Sequence, residues 1–138
     1  MINLPEKISA EIDNIEKSLA NLSSPLKKKK KSIIEIAGMA AFIQNIYNGI
    51  ENILKQILKS KNVSVAHPEI WHKELLEKSV KNNIIPDELA EALYEYLTFR
   101  HFFIHSYSFM LDKKKVVALA NNINKLWQKF LGEIKPYR

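Results

Sequence analysis

Residues 36–57, which read IAGMAAFIQNIYNGIENILKQI, decide the fold. Their apolar side chains recur at alternating steps of three and four residues, which is the spacing of one face of an α-helix. The series consists of Ile36, Met39, Ile43, Ile46, Ile50, Ile53 and Ile57. Three further large side chains, those of Phe42, Tyr47 and Leu54, widen this stripe. We therefore expect one long central helix that packs against several neighbours.

Two glycines interrupt this run of helix-forming residues. Gly38 and Gly49 each cost roughly 1 kcal/mol relative to alanine in the interior of a helix. A glycine in such a position commonly has a packing reason. We expect both glycines to mark close contacts between helices.

Apolar residues with the same helical spacing lie on both sides of the central helix. The series before it consists of Ile8, Ile12, Ile15, Leu19 and Leu22, and the last series in the chain consists of Val116, Leu119, Ile123, Leu126 and Phe130. Residues 69–80 and the segment that follows Pro86 predict two more helices.

Capping residues predict where these helices begin and end. Ser24 followed by Pro25 is typical of a helix start, and Asp112 is a suitable N-cap for the last helix. Gly132 and Pro136 predict the end of that helix. The chain is therefore predicted to form an all-α antiparallel bundle of about five helices, in a single domain that spans residues 1–138.

The composition restricts the compartment and the class of function. The chain has 138 residues, of which 46% are hydrophobic, and it has no cysteine. Disulfide and thiolate chemistry are thereby excluded, and a reducing compartment fits. The N-terminus has no signal-peptide pattern, and no stretch is apolar for about 18 residues. We expect a soluble, cytoplasmic protein that makes no contact with a membrane.

The chain is basic, with a formal net charge of +6. A positive charge favours encounter with polyanions such as RNA. Five consecutive lysines, Lys27, Lys28, Lys29, Lys30 and Lys31, concentrate that charge. They are interpreted either as a patch that follows an RNA backbone or as a solvated linker, and the sequence favours neither reading.

The residues whose side chains are able to take part in catalysis lie in residues 100–107, which read RHFFIHSY. His105 is a candidate general acid or base, because histidine exchanges protons near neutral pH. Arg100 is a permanent cation whose planar fork of donors matches a phosphate and its more highly charged transition state. Together they satisfy the requirements of phosphodiester cleavage without a metal. The alternative is that a histidine among aromatic residues serves only in a core or an interface.

The spacing of Arg100, His105 and Tyr107 resembles the R-x4-H-x-Y pattern of the HepT toxins, which belong to the HEPN superfamily of small helical domains. The resemblance implies that Arg100 and His105 are a catalytic pair that lies near the same pair of a second subunit. It also implies that a nucleotidyltransferase antitoxin adenylylates Tyr107. A looser similarity covers residues 50–54 and 71–76. From the residues alone, Glu51 is read as a surface glutamate. The resemblance implies instead that Glu51 orients Arg100 or His105 by a hydrogen bond.

The motif helix predicts a dimer. Its residues are apolar on two faces, so it needs two packing partners. We take the second partner to be another copy of the chain, which would place His101 and His105 at a dimer cleft. On an ideal helix Arg100 and His105 point about 140° apart. The helix therefore distorts or ends inside the motif, or the Arg100 side chain reaches round, or each pair is completed across the dimer.

Other classes of site are not supported by the sequence. His67 and His72 are five residues apart, but no cysteine or third histidine lies near them, so we expect no zinc site. P-loop, glycine-rich nucleotide-binding and hydrolase-elbow motifs are absent from the sequence, so no cofactor is expected.

The most specific interpretation is a metal-independent endoribonuclease that forms the toxin half of a toxin–antitoxin pair. Arg100 and His105 would carry the reaction, and His101 would assist. Two alternatives stay open. One is a catalytically inactive HEPN module that binds a nucleotidyltransferase, and the other is a structural homodimer.

Overall fold

The computed structural model of the protein describes residues 2–65, 71–105 and 112–138, except for the side chain of His105. These residues form helices α1 (Leu4–Lys27), α2 (Ile33–Ser60), α3 (Trp71–Lys81), α4 (Asp87–His105) and α5 (Lys113–Ile134), followed by a 3-10 turn (Lys135–Tyr137). The described ranges contain no strand. The predicted all-α bundle of about five helices is confirmed.

Helix α2 is the centre of the bundle and packs against all four other helices. All seven residues of its predicted apolar series are buried. Burying an aliphatic side chain of this size is worth about 1.5–3 kcal/mol, so this series contributes a large part of the favourable free energy of folding. The most extensive packing is between α1 and α2, which form a helical hairpin.

The connection between α1 and α2 differs from the prediction. Pro25 lies inside α1 and does not begin a new helix. The helix tolerates it because α1 ends two residues later, so the hydrogen bond that a proline cannot make falls in the last turn. The start of α2 is set instead by Ser32 and Glu35, whose side chains bond reciprocally to each other's backbone N–H groups in a capping box.

The end of α5 also differs from the prediction. Gly132 lies within the helix, which continues to Ile134. The side chain of Ile134 is fully buried, and this burial outweighs the roughly 1 kcal/mol that a helical glycine costs. Pro136 lies in the 3-10 turn that follows, where the Lys61 ammonium sits 5.2 Å from the centre of the Tyr137 ring.

The two glycines of α2 have different surroundings. A Cβ atom added to Gly49 would lie 2.4 Å from Cγ1 and 2.7 Å from Cδ1 of Ile15 on α1. A Cβ added to Gly38 would meet nothing within 4 Å. The prediction of a close helix contact is therefore confirmed for Gly49 and wrong for Gly38.

Gly49→Ala should destabilise the protein, whereas Gly38→Ala should stabilise it. Overpacking against the buried Ile15 costs about 1–3 kcal/mol, which exceeds the gain in helix propensity of up to about 1 kcal/mol. At Gly38 only that gain applies. The free energy of unfolding, measured by urea titration with circular dichroism, tests both variants. Equal stabilities of the two variants would contradict the close α1–α2 contact.

Stability at low pH should depend on the capping box. The hydrogen bond from the Ser32 backbone N–H, followed by the nearby Lys28 ammonium, lowers the pKa of Glu35 from 4.5 to about 2. Because the folded-state pKa is lower than the unfolded one, the contribution of Glu35 is complete above pH 4.5 and is lost as the pH falls to about 2.

Glu35→Gln is the matched variant, since glutamine keeps an acceptor for the Ser32 N–H but does not titrate. The stability difference between wild type and Glu35→Gln should shrink as the pH falls through that window. Carboxyl NMR of Glu35 should give a midpoint near pH 2. A midpoint at the ordinary glutamate value would show that the capping box does not hold the carboxylate.

Candidate functional site

A cluster of polar side chains lies where α2, α3 and α4 meet. Helix α2 contributes Tyr47, Asn48 and Glu51, which share one side of the helix because residues three and four apart are neighbours on a helix surface. Helix α3 contributes His72, and α4 contributes Arg100. Most of the surrounding side chains are apolar, so each polar group in the cluster needs a partner.

Glu51 and His72 form the innermost pair of the cluster. Only 3% of Glu51 is exposed, so the surface reading of this residue is wrong. Nδ1 of His72 lies 2.9 Å from each of the two Glu51 carboxylate oxygens. The His72 ring also packs on Trp71, with 3.8 Å between ring centres, and the Lys55 ammonium lies 5.5 Å from the Trp71 ring centre. These contacts fix the start of α3 against the middle of α2.

Arg100 is tied to α2 by a hydrogen bond. Its Nε donates to Oδ1 of Asn48 over 3.0 Å. The side chain is half-buried, and its neighbour in the sequence, Phe99, is buried and stacks on Phe103 with 6.1 Å between ring centres. The Arg100 guanidinium is therefore directed at α2 and lies at the edge of the polar cluster.

Tyr47 lies within range of both charges of the cluster. Its side chain is 1% exposed, and its hydroxyl has no hydrogen-bond partner in the described part of the chain. Burial raises the pKa of Tyr47 well above its usual value, and the negative charge of Glu51 raises it further. The positive charge of Arg100 opposes that shift in pKa. The phenol thus stays neutral and lies near both the acid and the guanidinium.

The described part of the motif lies on one helix. Helix α4 runs from Asp87 to His105, so Arg100 and His105 belong to one element whose described end falls inside the motif. The three explanations for the spacing of the motif stay predictions. His101 is exposed, whereas the side chain of His105 and all of Tyr107 lie outside the described residues.

The lysine run lies far from this cluster. Lys27, Lys28, Lys29 and Lys30 are exposed at the corner between α1 and α2, and Lys31 is half-buried. Lys28 pairs with Glu35 over 2.9 Å, and Lys31 donates to the Lys28 carbonyl. From the first residue of α2 to Asn48 the helix rises about 22 Å. The lysines and Arg100 thus form two separate positive regions.

Sequence reasoning did not identify Asn48 or Tyr47 as members of a polar site, although it placed Tyr47 in the apolar stripe of the central helix. It also did not pair His72 with Glu51. A signal was present, because the half-buried Asn48 and the buried Glu51 are three residues apart in a helix whose other buried residues are hydrophobic or glycine. Nothing in the periodicity of α2 indicates which residue of α3 or α4 lies opposite them.

The described part of the chain has neither a cluster of metal ligands nor a helix that could span a membrane. Within residues 2–65, 71–105 and 112–138, no three His, Asp or Glu side chains are grouped as metal ligands. No helix in these ranges is both long and apolar enough to cross a membrane.

Comparisons with known proteins identify a family and a shared fold. A family model described as HepT-like protein, HepT-like_2, matches residues 38–138, which include the polar cluster and the R-x4-H-x-Y motif. Among solved structures, the cytosolic protein of unknown function YutE from Bacillus subtilis superposes with a TM-score of 0.78. The superposed region covers 96% of this chain and 89% of YutE, and the sequences are 15% identical. The two proteins therefore share a fold. The comparison with curated proteins found no match.

The family match extends over most of the chain, from the first third of α2 to the C-terminal residue. It confirms the resemblance that residues 100–107 indicated. The chain therefore belongs to the family of HepT-like proteins.

Proposed function

We propose that the protein is a metal-independent endoribonuclease and the toxin component of a toxin–antitoxin pair. The observation that carries this proposal is the placement of Arg100. Its guanidinium is held by Asn48 at the edge of a polar cluster, within the segment that matches the HepT-like family. An oriented, permanently charged fork is the group that stabilises a phosphoryl transition state.

The proposed reaction uses two groups of the motif. His105 acts as general base and removes the proton of a ribose 2′-hydroxyl, whose oxygen then attacks the adjacent phosphorus. The bond from phosphorus to the 5′-oxygen of the next nucleotide breaks, and the products are a 2′,3′-cyclic phosphate and a 5′-hydroxyl. Arg100 stabilises the negative charge that develops on the phosphate oxygens. His101 assists by returning a proton to the leaving oxygen.

A homodimer is part of the proposal. Phe102 and Ile104 are 38% and 46% exposed near the end of α4, so this helix presents large apolar side chains that the single chain does not cover. A second copy packed on this face would bury them and bring two motifs together. Single-stranded RNA would bind in the cleft between the copies.

The proposed partner in the cell is a minimal nucleotidyltransferase antitoxin. Adenylylation of Tyr107, two residues after His105, would add a bulky, negatively charged group beside the catalytic histidine. That charge would repel the RNA backbone and silence the toxin. This step rests on the resemblance of the motif to the HepT pattern.

An inactive binding module is the second candidate. The deep placement of Glu51 and Tyr47 favours it, because a largely buried polar cluster serves to fix a shape as well as to do chemistry. Such a module would bind the nucleotidyltransferase through the α4 surface and would not cleave RNA.

Cleavage of a mixed pool of transfer and messenger RNA in EDTA tests the proposed reaction. Arg100→Ala and His105→Ala should each lower the rate by about 10²–10⁴-fold, since each removes one catalytic group. Arg138→Ala, which removes the only other arginine, is the matched control and should cut like the wild type.

The intact mass of each protein must be measured in the same experiment, because adenylylated Tyr107 would mask activity. Cleavage by His105→Ala at the wild-type rate would overturn the assignment of the base. An unmodified wild type that cuts no RNA, yet binds a nucleotidyltransferase, would establish the binding module instead.

The lysine run should contribute to RNA affinity and little to the chemical step. Replacing Lys29 and Lys30 with glutamine should weaken binding of single-stranded RNA, and the slope of log K against log salt should fall by about 1.4. Replacing the exposed Lys7 and Lys17 removes the same charge from α1 as a control. Equal affinities of the two double variants would leave the run as a solvated linker.

A further inference from the structure

The hydrogen bond between Arg100 and Asn48 engages one particular part of the guanidinium. Asn48 accepts from Nε, and the bond joins α4 to α2. A guanidinium has five donors in a rigid, planar fork. When Nε is held at one side, the position and the plane of the two terminal nitrogens are fixed as well. Those two nitrogens form the edge that binds a phosphate with two parallel hydrogen bonds.

The chemistry of the acceptor suits this role. Arginine has about 2 kcal/mol of rotamer entropy, so an unheld side chain would lose much of that freedom each time it bound a phosphate. Asparagine orients the fork through a neutral carbonyl oxygen. A carboxylate in the same place would form an ion pair with the guanidinium and compete with the phosphate for it.

The buried acid that follows Asn48 on α2 bonds to another residue. Glu51 lies one turn after Asn48, and both of its carboxylate oxygens are 2.9 Å from Nδ1 of His72. In this arrangement Glu51 accepts its hydrogen bond from His72, and Arg100 donates to a neutral amide oxygen of α2. The positive charge of Arg100 therefore stays available to a substrate.

We propose that Asn48 is a positioning residue: by accepting the Nε hydrogen bond of Arg100, it presents the two terminal nitrogens of the guanidinium to the scissile phosphate of RNA. This inference rests on the proposed ribonuclease function. Asn48 would add a residue of α2 to a site whose other proposed catalytic residues, Arg100, His101 and His105, belong to α4.

Asn48→Ala should lower kcat by about 10–100-fold with little change in KM, because a misplaced catalytic group loses transition-state stabilisation while RNA still binds. Asn52→Ala is the matched control. Asn52 is the next asparagine on α2, is exposed, and donates to Glu11 over 3.4 Å, away from Arg100. The Asn52→Ala variant should cleave RNA with the wild-type kcat and KM.

A double-mutant cycle tests whether Asn48 acts through Arg100. In the Arg100→Ala background, Asn48→Ala should cause no further loss of kcat. Asn48→Asp should keep the Nε hydrogen bond and still cleave slowly, because the carboxylate neutralises the guanidinium. A further 10-fold loss in the Arg100→Ala background, or full activity of Asn48→Asp, would overturn the inference.

NMR of the Arg100 Nε–Hε group separates this inference from the proposed function. The wild type and Asn48→Asp should show a slowly exchanging Hε, and Asn48→Ala should show a rapidly exchanging one. If the wild type fails to cleave RNA, the ribonuclease proposal fails, yet the exchange rates still decide whether Asn48 holds the guanidinium.

Reduced activity of Asn48→Ala also has a purely structural explanation, which the same samples address. Circular dichroism and urea titration establish the folded fraction under assay conditions. A kcat per folded molecule equal to the wild-type value would overturn the inference, as would rapid Hε exchange in the wild type.

Discussion

The buried carboxylate of Glu51 constrains how α3 packs on the central helix α2. A carboxylate that is 3% exposed has lost almost all of its hydration, and the free-energy cost is large unless hydrogen bonds replace the water. His72 supplies that replacement from α3. The pair ties α3 to the middle of α2, one turn from the residue that bonds to α4. A polar constraint, and not the apolar core alone, thus determines where α3 and α4 meet the central helix.

Helix α2 combines two functions that usually fall to different elements. Its apolar series builds the core against four helices, and its polar residues bond to α3 and α4. The close approach of α1 at Gly49 lies next to Asn48 in the sequence. Because a packed core deforms little, the position of Asn48 is determined by the packing around it. A hydrogen bond that Arg100 donates to such a residue restrains the guanidinium more firmly than a bond to a loop residue would.

Hydrophobic periodicity predicted the bundle well because burial dominates the free energy of each helix. It located the buried face of α2 correctly, and the motif in residues 100–107 indicated the family. Capping and helix-breaking residues placed boundaries at Pro25 and Gly132, where tertiary burial and the Ser32 capping box proved stronger than local propensity. Neither signal could find the partner of Arg100, since the residue that faces Arg100 across the bundle depends on helix rotation and register. Those quantities depend on side chains far apart in the sequence.

The direction of Arg100 bears on the proposed dimer. Its guanidinium points at α2, and a continuous helix places position 105 about 140° away from position 100. A phosphate held by Arg100 would therefore approach from the α2 side. The exposed Phe102 and Ile104 show that α4 has an apolar surface near the same end. A second copy that covered this surface would bury Phe102 and Ile104, which is the contact that the proposed dimer needs.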